Sequence, residues 1–352
     1  MSEKKVRIGF VGVGGMGQCA HLKNYATLPE CEVTAIAEYR QGMAHAVAKK
    51  YNVPRVYPDH EAMLATEELD GIVASQQFVR HAVLLPDLLK ANVPLFTEKP
   101  LAGCIEAGQT ILDALAASTT WHMVGYHKRS DPATMYAKTR IEALKQSGEL
   151  GKLKYVRILM PAGDWVANGF TDLIGSDDPM PEQTYEKHPT DMDTKTYEEY
   201  IAFVNYYIHQ VNLMRHVLGE DYTLAYVDKN NVLLVVETPS GVTGTIEMSP
   251  YTTSIAWEEE ILVAFEHGYI KLELPAPLAS NRCGRVEMLR DPGNGVTPET
   301  TVPTLPWVHA MRQQAINFIE AIQGKRPPMC TAQEAMKDLI VARDYIRLRL
   351  GK

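Results

Sequence analysis

The chain has 352 residues, enough for two domains with sizeable cores, and its 45 % hydrophobic and 22 % charged residues are those of a soluble globular protein. A formal net charge of -8, with no Lys/Arg-rich block, excludes the basic face that a nucleic-acid partner requires. No apolar stretch approaches the ~20 residues of a membrane span, and the charged start Met1-Ser2-Glu3-Lys4-Lys5 runs directly into an apolar strand without room for a signal peptide, so a cytoplasmic protein is expected.

The β-branched run Val6–Val11 leads into Gly12-x-Gly14-x-x-Gly17, with Gly15 and Met16 inside the turn, and an Ala/Leu-containing helical segment follows. This is the pattern of a dinucleotide site. The first glycine allows a tight bend, the second lets the backbone approach a pyrophosphate, and the third lets helix and strand pack closely. The unpaired N–H groups at the helix N-terminus then hold the phosphates. The second apolar run ends at Glu38, where an acidic side chain accepts from the adenosine ribose 2′-OH, which favours NAD. Arg40, two positions on, could instead neutralise a 2′-phosphate, which keeps NADP as the alternative.

Strand and helix patterns alternate as far as Tyr126, with strands at Val6–Val11, Val33–Ala37, near Val56, Leu69–Ser75, Val93–Thr97 and His122–Tyr126. That alternation predicts a doubly wound parallel sheet, whose ligands sit at the carboxyl ends of its strands. Attention falls on Ser75 and Gln76 after one strand and on Glu98 and Lys99 after the next. Beyond Tyr126 a helix is expected over Pro132–Ser147, a strand over Leu153–Met160 and a helix over Ile201–Leu218. Strands at Val232–Glu237, Val242–Met248, Ile255–Phe265 and Tyr269–Leu274 then follow one another through tight turns, which predicts an open, mainly antiparallel sheet in an α+β second domain. Helices at Trp307–Gln323 and Thr331–Leu350 close the chain. The expected division is a dinucleotide-binding domain over 1–125 and a substrate-binding and oligomerisation domain over 126–352, with the closing helices able to pack back on the first.

On the helix predicted over Ile201–Leu218, Asn205, His209, Asn212 and His216 share one narrow stripe, and no charged residue occurs from Ile201 to Met214. An uncharged Asn/His stripe on an otherwise apolar helix suggests the wall of a semi-buried cleft. The stretch from Ala162 to Glu199 is too long for an ordinary connection and reads as a lid. Trp165 could stack on a sugar face, so Asp164 and Trp165 are assigned to substrate contact and the remaining acidic residues to solvated surface. The five cysteines are scattered and lack CxxC spacing, so neither a metal site nor a disulfide framework is expected.

Glu98-Lys99-Pro100 and the run Gly125-Tyr126-His127-Lys128-Arg129-Ser130-Asp131-Pro132, together with the glycine turn, give a chain that resembles the Gfo/Idh/MocA oxidoreductase family over nearly its whole length. His81 stands where that family has a histidine opening a helix. The resemblance implies a Rossmann domain and hydride transfer between NAD(P) and a secondary hydroxyl of a sugar, sugar acid, cyclitol or glycoside. It implies that His209 takes the proton, that Lys99 stabilises the developing alkoxide and that Asn205 positions the hydroxyl. His127 stands where family members touch substrate; Lys128 is expected either there or in an exposed pair with Asp131. Asn205 and Asn212 replace aspartates of the family pattern, which leaves the site less anionic. Two other functions share this architecture, a glycoside hydrolase acting through transient C3 oxidation and elimination, and a non-enzymatic sensor. By the same analogy a homodimer or homotetramer is expected.

Overall fold

The computed structural model describes residues 4–351; Met1–Glu3, part of the charged start, and Lys352 lie outside the described residues. The chain forms two compact units that are not contiguous in sequence. The first gathers Met1–Tyr126 with Asn168–Asn205 and Gln314–Ile340, and the second His127–Ala167, Tyr206–Gln313 and Val341–Lys352. Segments 168–205 and 314–340 are therefore counted with the glycine-turn unit, although they follow residue 126 in sequence.

In the first unit, β1 (Val6–Val11), β2 (Cys31–Ala37), β3 (Arg55–Tyr57), β4 (Gly71–Ala74), β5 (Leu95–Glu98) and β6 (His122–Gly125) make an all-parallel sheet in the order β3-β2-β1-β4-β5-β6. Helices α1 (Lys23–Tyr25), α2 (Gln41–Tyr51), α3 (His60–Thr66), α4 (His81–Leu89) and α5 (Ile105–Ala116) connect the strands. Strands β4, β5 and β6 are buried at every residue, as a parallel sheet covered on both faces demands. Strand order reverses between β1 and β4, so the crevice for a ligand opens beyond Val11 and Ala74. Phe318, from the returning C-terminal segment, packs edge-on or tilted against Tyr25, Phe96 and Trp121, with ring centres 6.4, 5.6 and 5.6 Å apart.

The second unit is built on an eight-stranded sheet. Its strands are β7 (Leu153–Ala162), β8 (Thr223–Val227), β9 (Leu233–Glu237), β10 (Thr243–Thr252), β11 (Glu260–Phe265), β12 (Gly268–Glu273), β13 (Arg285–Arg290) and β14 (Glu299–Thr301), in the order β14-β13-β12-β11-β7-β10-β9-β8. All neighbours are antiparallel except β7 and β10. Burial alternates along β11, placing Ile261, Val263 and Phe265 in the core. The other face carries an ionic ladder in which Arg157 bonds Glu247 at 2.6 Å and Glu260 at 3.2 Å.

Several elements depart from the sequence expectation. The helix expected over Ile201–Leu218 is two, α7 (Thr194–Tyr206) and α8 (Ile208–Leu218), separated at Tyr207, whose φ of -88° and ψ of -4° lie at the edge of the helical region. β11 begins at Glu260, leaving Ile255 outside it and 90 % exposed. β8, β13 and β14 were not expected: β8 and β14 are short, and β13 is interrupted by Arg285, Glu287 and Arg290.

Candidate functional site

Gly12 has φ +90°, and a Cβ there would fall 2.6 Å from the Ser75 carbonyl oxygen, so the tight bend excludes any side chain. At Gly17 a Cβ would meet the Gly12 carbonyl at 2.7 Å, which fixes glycine where helix and strand touch. Gly14 and Gly15 differ. A Cβ at either would meet no protein atom nearer than 3.5 Å, so the protein's own packing does not require glycine there. Their missing side chains leave a cradle of bare backbone at the start of a helix, which fits a pyrophosphate.

The cradle opens into a groove of about 680 Å³ within the first unit, lined by Gly12, Gly14, Gly15, Met16 and Gly17, by Glu38 and Arg40, and by Ser75 and Gln76. That volume suits a cofactor. The Glu38 carboxylate, 6 % exposed, accepts from the Val13 N–H at 3.1 Å and from the Arg40 N–H at 3.1 Å. The Arg40 guanidinium grips the same carboxylate at 3.0 and 3.1 Å.

At the end of β5, Glu98 is buried and accepts from His21 Nε2 at 2.7 Å, a partner that sequence reasoning missed because it lies 77 positions away. Lys99 Nζ donates to the backbone carbonyl of Asn205 at 2.6 Å, while the Asn205 residue is exposed. The lysine and that turn of α7 are thus brought together through the main chain. His81 is fully buried and does not line the groove. Its Nδ1 donates to the Leu101 carbonyl at 3.0 Å, and burial pushes its pKa down to about 4, so it ties the start of α4 to the loop after β5 as a neutral ring.

In the second unit His127 and His209 meet edge to face with ring centres 4.8 Å apart. Lys128 is 4 % exposed and forms an ion pair with Glu259, which also accepts from Gln210 Nε2 at 2.7 Å. This corrects the expected exposed pair with Asp131: burial leaves the ammonium no solvent, and Glu259 supplies the charge. Asp131 instead caps α6 (Pro132–Ser147) through the Ala133 N–H at 2.8 Å, and burial raises its pKa to about 6. Arg129 Nε donates to Asn212 Oδ1 at 2.6 Å, so the amide that replaces an aspartate serves a buried arginine. Asp164 accepts from the Val166 and Ala167 N–H groups at 3.0 Å, which shapes its own turn, and Trp165 beside it is 37 % exposed.

The long stretch after Ala167 is not solely a solvated surface. Asp172 bonds Lys50 Nζ at 2.9 Å, Asp178 accepts from the Met43 N–H at 2.9 Å, and Met180, Pro181, Gln183 and Tyr185 line the groove itself. Nothing in the local pattern of this Gly-, Pro- and Asp-rich segment announces that placement. Among the described residues no group of three or more His, Cys, Asp or Glu side chains could hold a metal, and no helix is long and apolar enough to cross a membrane.

Residues 6–126 match the oxidoreductase family described as having an NAD-binding Rossmann fold. The chain is 25 % identical over 274 residues to scyllo-inositol 2-dehydrogenase (NAD(+)) of Bacillus subtilis, covering 73 % of this chain and 71 % of that one. It is 23 % identical over 341 residues to inositol 2-dehydrogenase/D-chiro-inositol 3-dehydrogenase of Lacticaseibacillus casei, covering 92 % and 86 %. Its fold is that of aldose-aldose oxidoreductase from Caulobacter crescentus, with a TM-score of 0.70 at 16 % identity over 99 % of both chains. Residues 6–126 thus match the NAD-binding Rossmann fold of the Gfo/Idh/MocA oxidoreductase family, and the chain is similar over most of its length to inositol dehydrogenases.

Proposed function

We propose that the protein is an NAD-dependent dehydrogenase that moves hydride between the nicotinamide and a secondary hydroxyl of a cyclitol, sugar, sugar acid or glycoside. The observation that carries the coenzyme half is the glycine cradle opening into a groove with Glu38 on its wall. The relatives' inositol dehydrogenase activities support a cyclitol or sugar as substrate. When bound, the coenzyme supplies the ring that accepts the hydride.

The remaining work falls to this chain's side chains. Gly14 and Gly15 let backbone N–H groups approach the phosphates, and Glu38 accepts from the ribose. Lys99 places a positive charge beside the substrate oxygen, where preorganised charge is worth several kcal/mol to a developing alkoxide. His209 takes the hydroxyl proton as the imidazole base. Asn205, His127 and Trp165 orient the substrate, with Asp164 shaping the turn that carries Trp165. Lys128 is held by Glu259 in the same small pocket that His127 lines. The protein works in the cytoplasm as a homodimer or homotetramer.

The test is a panel of cyclitols, sugars, sugar acids and glycosides offered with NAD and with NADP, read by nicotinamide absorbance and by product chromatography. Net reduced coenzyme with an oxidised product supports a dehydrogenase. Glycoside cleavage without net coenzyme turnover would assign the protein to the hydrolase class instead.

A further inference from the structure

The groove has a wall that lies outside the family-matched residues. Met180, Pro181, Gln183 and Tyr185 come from the polar stretch after Ala167, yet they face the groove together with Glu38, Arg40 and Gln76. Met180 is 51 % and Tyr185 47 % exposed, so two large apolar side chains are presented along the groove rather than buried in the unit's core. The Gln183 Oε1 atom is buried with no hydrogen-bond partner among the described residues.

This wall is pinned on both sides by carboxylates set on the N-terminal turns of helices. Before it, Asp178 accepts from the Met43 N–H in the first turn of α2 at 2.9 Å. After it, Glu186 accepts from the Ala82 N–H in the first turn of α4 at 2.9 Å and from the Gly103 N–H at 2.8 Å. A helix's first turn offers unpaired N–H groups and partial positive charge, so both anchors use the same physics. Further back, Gln18 both donates to the Ile174 carbonyl and accepts from its N–H at 3.0 Å, directly behind the glycine cradle. Arg80 adds a bond from Nε to the Thr184 carbonyl at 3.3 Å.

We infer that residues 178–186 are a clasp over the adenosine end of the coenzyme groove, held shut by Asp178 and Glu186, and that NAD is released slowly because the clasp must lift first. The inference rests on the reading of the groove as the coenzyme site. The two pins span the part of the groove that carries Glu38, so a dinucleotide seated there has protein on the sheet side and on the clasp side. Release then requires breaking helix-end hydrogen bonds that nothing in the catalytic cluster provides. Affinity gained this way lies in the dissociation rate.

The experiment follows dissociation of NADH from the full-length protein by its fluorescence after mixing with excess NAD. Asp178→Ala and Glu186→Ala each accelerate release by about tenfold or more. Gly42→Ala is the independent variant: its Cβ would fall 2.8 Å from Asp178 Oδ1 and displace the carboxylate, while alanine favours the α2 helix it joins. It accelerates release like Asp178→Ala with Asp178 still present. Folded variants that release NADH at the wild-type rate would overturn the clasp and leave the coenzyme reading standing. A wild-type protein that binds no NADH would overturn the reading of the groove and the clasp with it.

Discussion

Arg40 gives its guanidinium to Glu38: Nε meets Oε1 at 3.0 Å and Nη2 meets Oε2 at 3.1 Å, on the wall of the groove that the glycine cradle opens into. The arginine that could have received a 2′-phosphate is neutralised by the carboxylate proposed to read a ribose hydroxyl. Glu38→Ala therefore weakens NAD by about tenfold or more and leaves NADP unchanged or tighter, because it frees Arg40. Titrating both coenzymes against the variant checks this. An equal loss for the two would remove Glu38 from coenzyme selection.

Lys99 stands at the end of β5 with Nζ on the Asn205 carbonyl. Loss of an interaction made mainly in the transition state lowers kcat without loosening the coenzyme. Lys99→Ala is expected to lower kcat by about a hundredfold or more, with the coenzyme dissociation constant within a few-fold of wild type. Steady-state kinetics together with coenzyme titration separate the two quantities, and an unchanged kcat would take the lysine out of the chemistry.

Lys128 and Glu259 are a buried ion pair, their side chains 4 % and 0 % exposed. Removing one partner leaves the other charge in a low-dielectric interior, a loss of about 3–5 kcal/mol. Glu259→Leu and Lys128→Met alone should each lower the midpoint of denaturant unfolding strongly. The double variant should recover much of that loss, since neither charge is then stranded. Additive losses would mean that the pair is not coupled.

Burial raises the Glu186 pKa to about 7, outweighing its two backbone N–H donors. A carboxyl group raised in the folded state favours the fold most below its ordinary value of 4.5, and that advantage fades as pH rises to about 7. Nearby Cys104 is held up at about 11 and Tyr197 above its ordinary value, so both stay neutral in this window. His188 is stacked on Tyr197 with ring centres 4.0 Å apart, and His188→Gln is the control for a neighbouring imidazole. Against wild type, Glu186→Gln should gain in melting temperature as pH rises from 4.5 to 7. A difference that does not change with pH would contradict the assignment.

The parallel sheet and glycine turn of the first unit were legible because their signals are local. Short, largely buried strands of four to seven residues and a glycine turn each report their surroundings within a few positions. The anchors of the clasp were not legible. Asp178 finds Met43 across 135 positions and Glu186 finds Ala82 across 104, and an acidic residue among Gly and Pro looks the same whether it faces water or a helix end. Lys128 was half legible. Its motif placed it beside His127, but only the chain brought back at Glu259 decides that it is buried. The single long helix expected over Ile201–Leu218 is divided at Tyr207, because an amphipathic pattern does not reveal a one-residue shift of ψ to the edge of the helical region.

The central claim is that a dinucleotide on the glycine cradle exchanges hydride with a secondary carbinol. Its most direct test is one turnover of the NAD-loaded protein with the best substrate of the panel, deuterated at the carbinol carbon, followed by mass analysis of the nicotinamide. The account predicts that the deuterium appears at C4 of the reduced ring in wild type and does so more slowly, by about a hundredfold or more, in Lys99→Ala. Substrate consumed with no deuterium on the nicotinamide would contradict it.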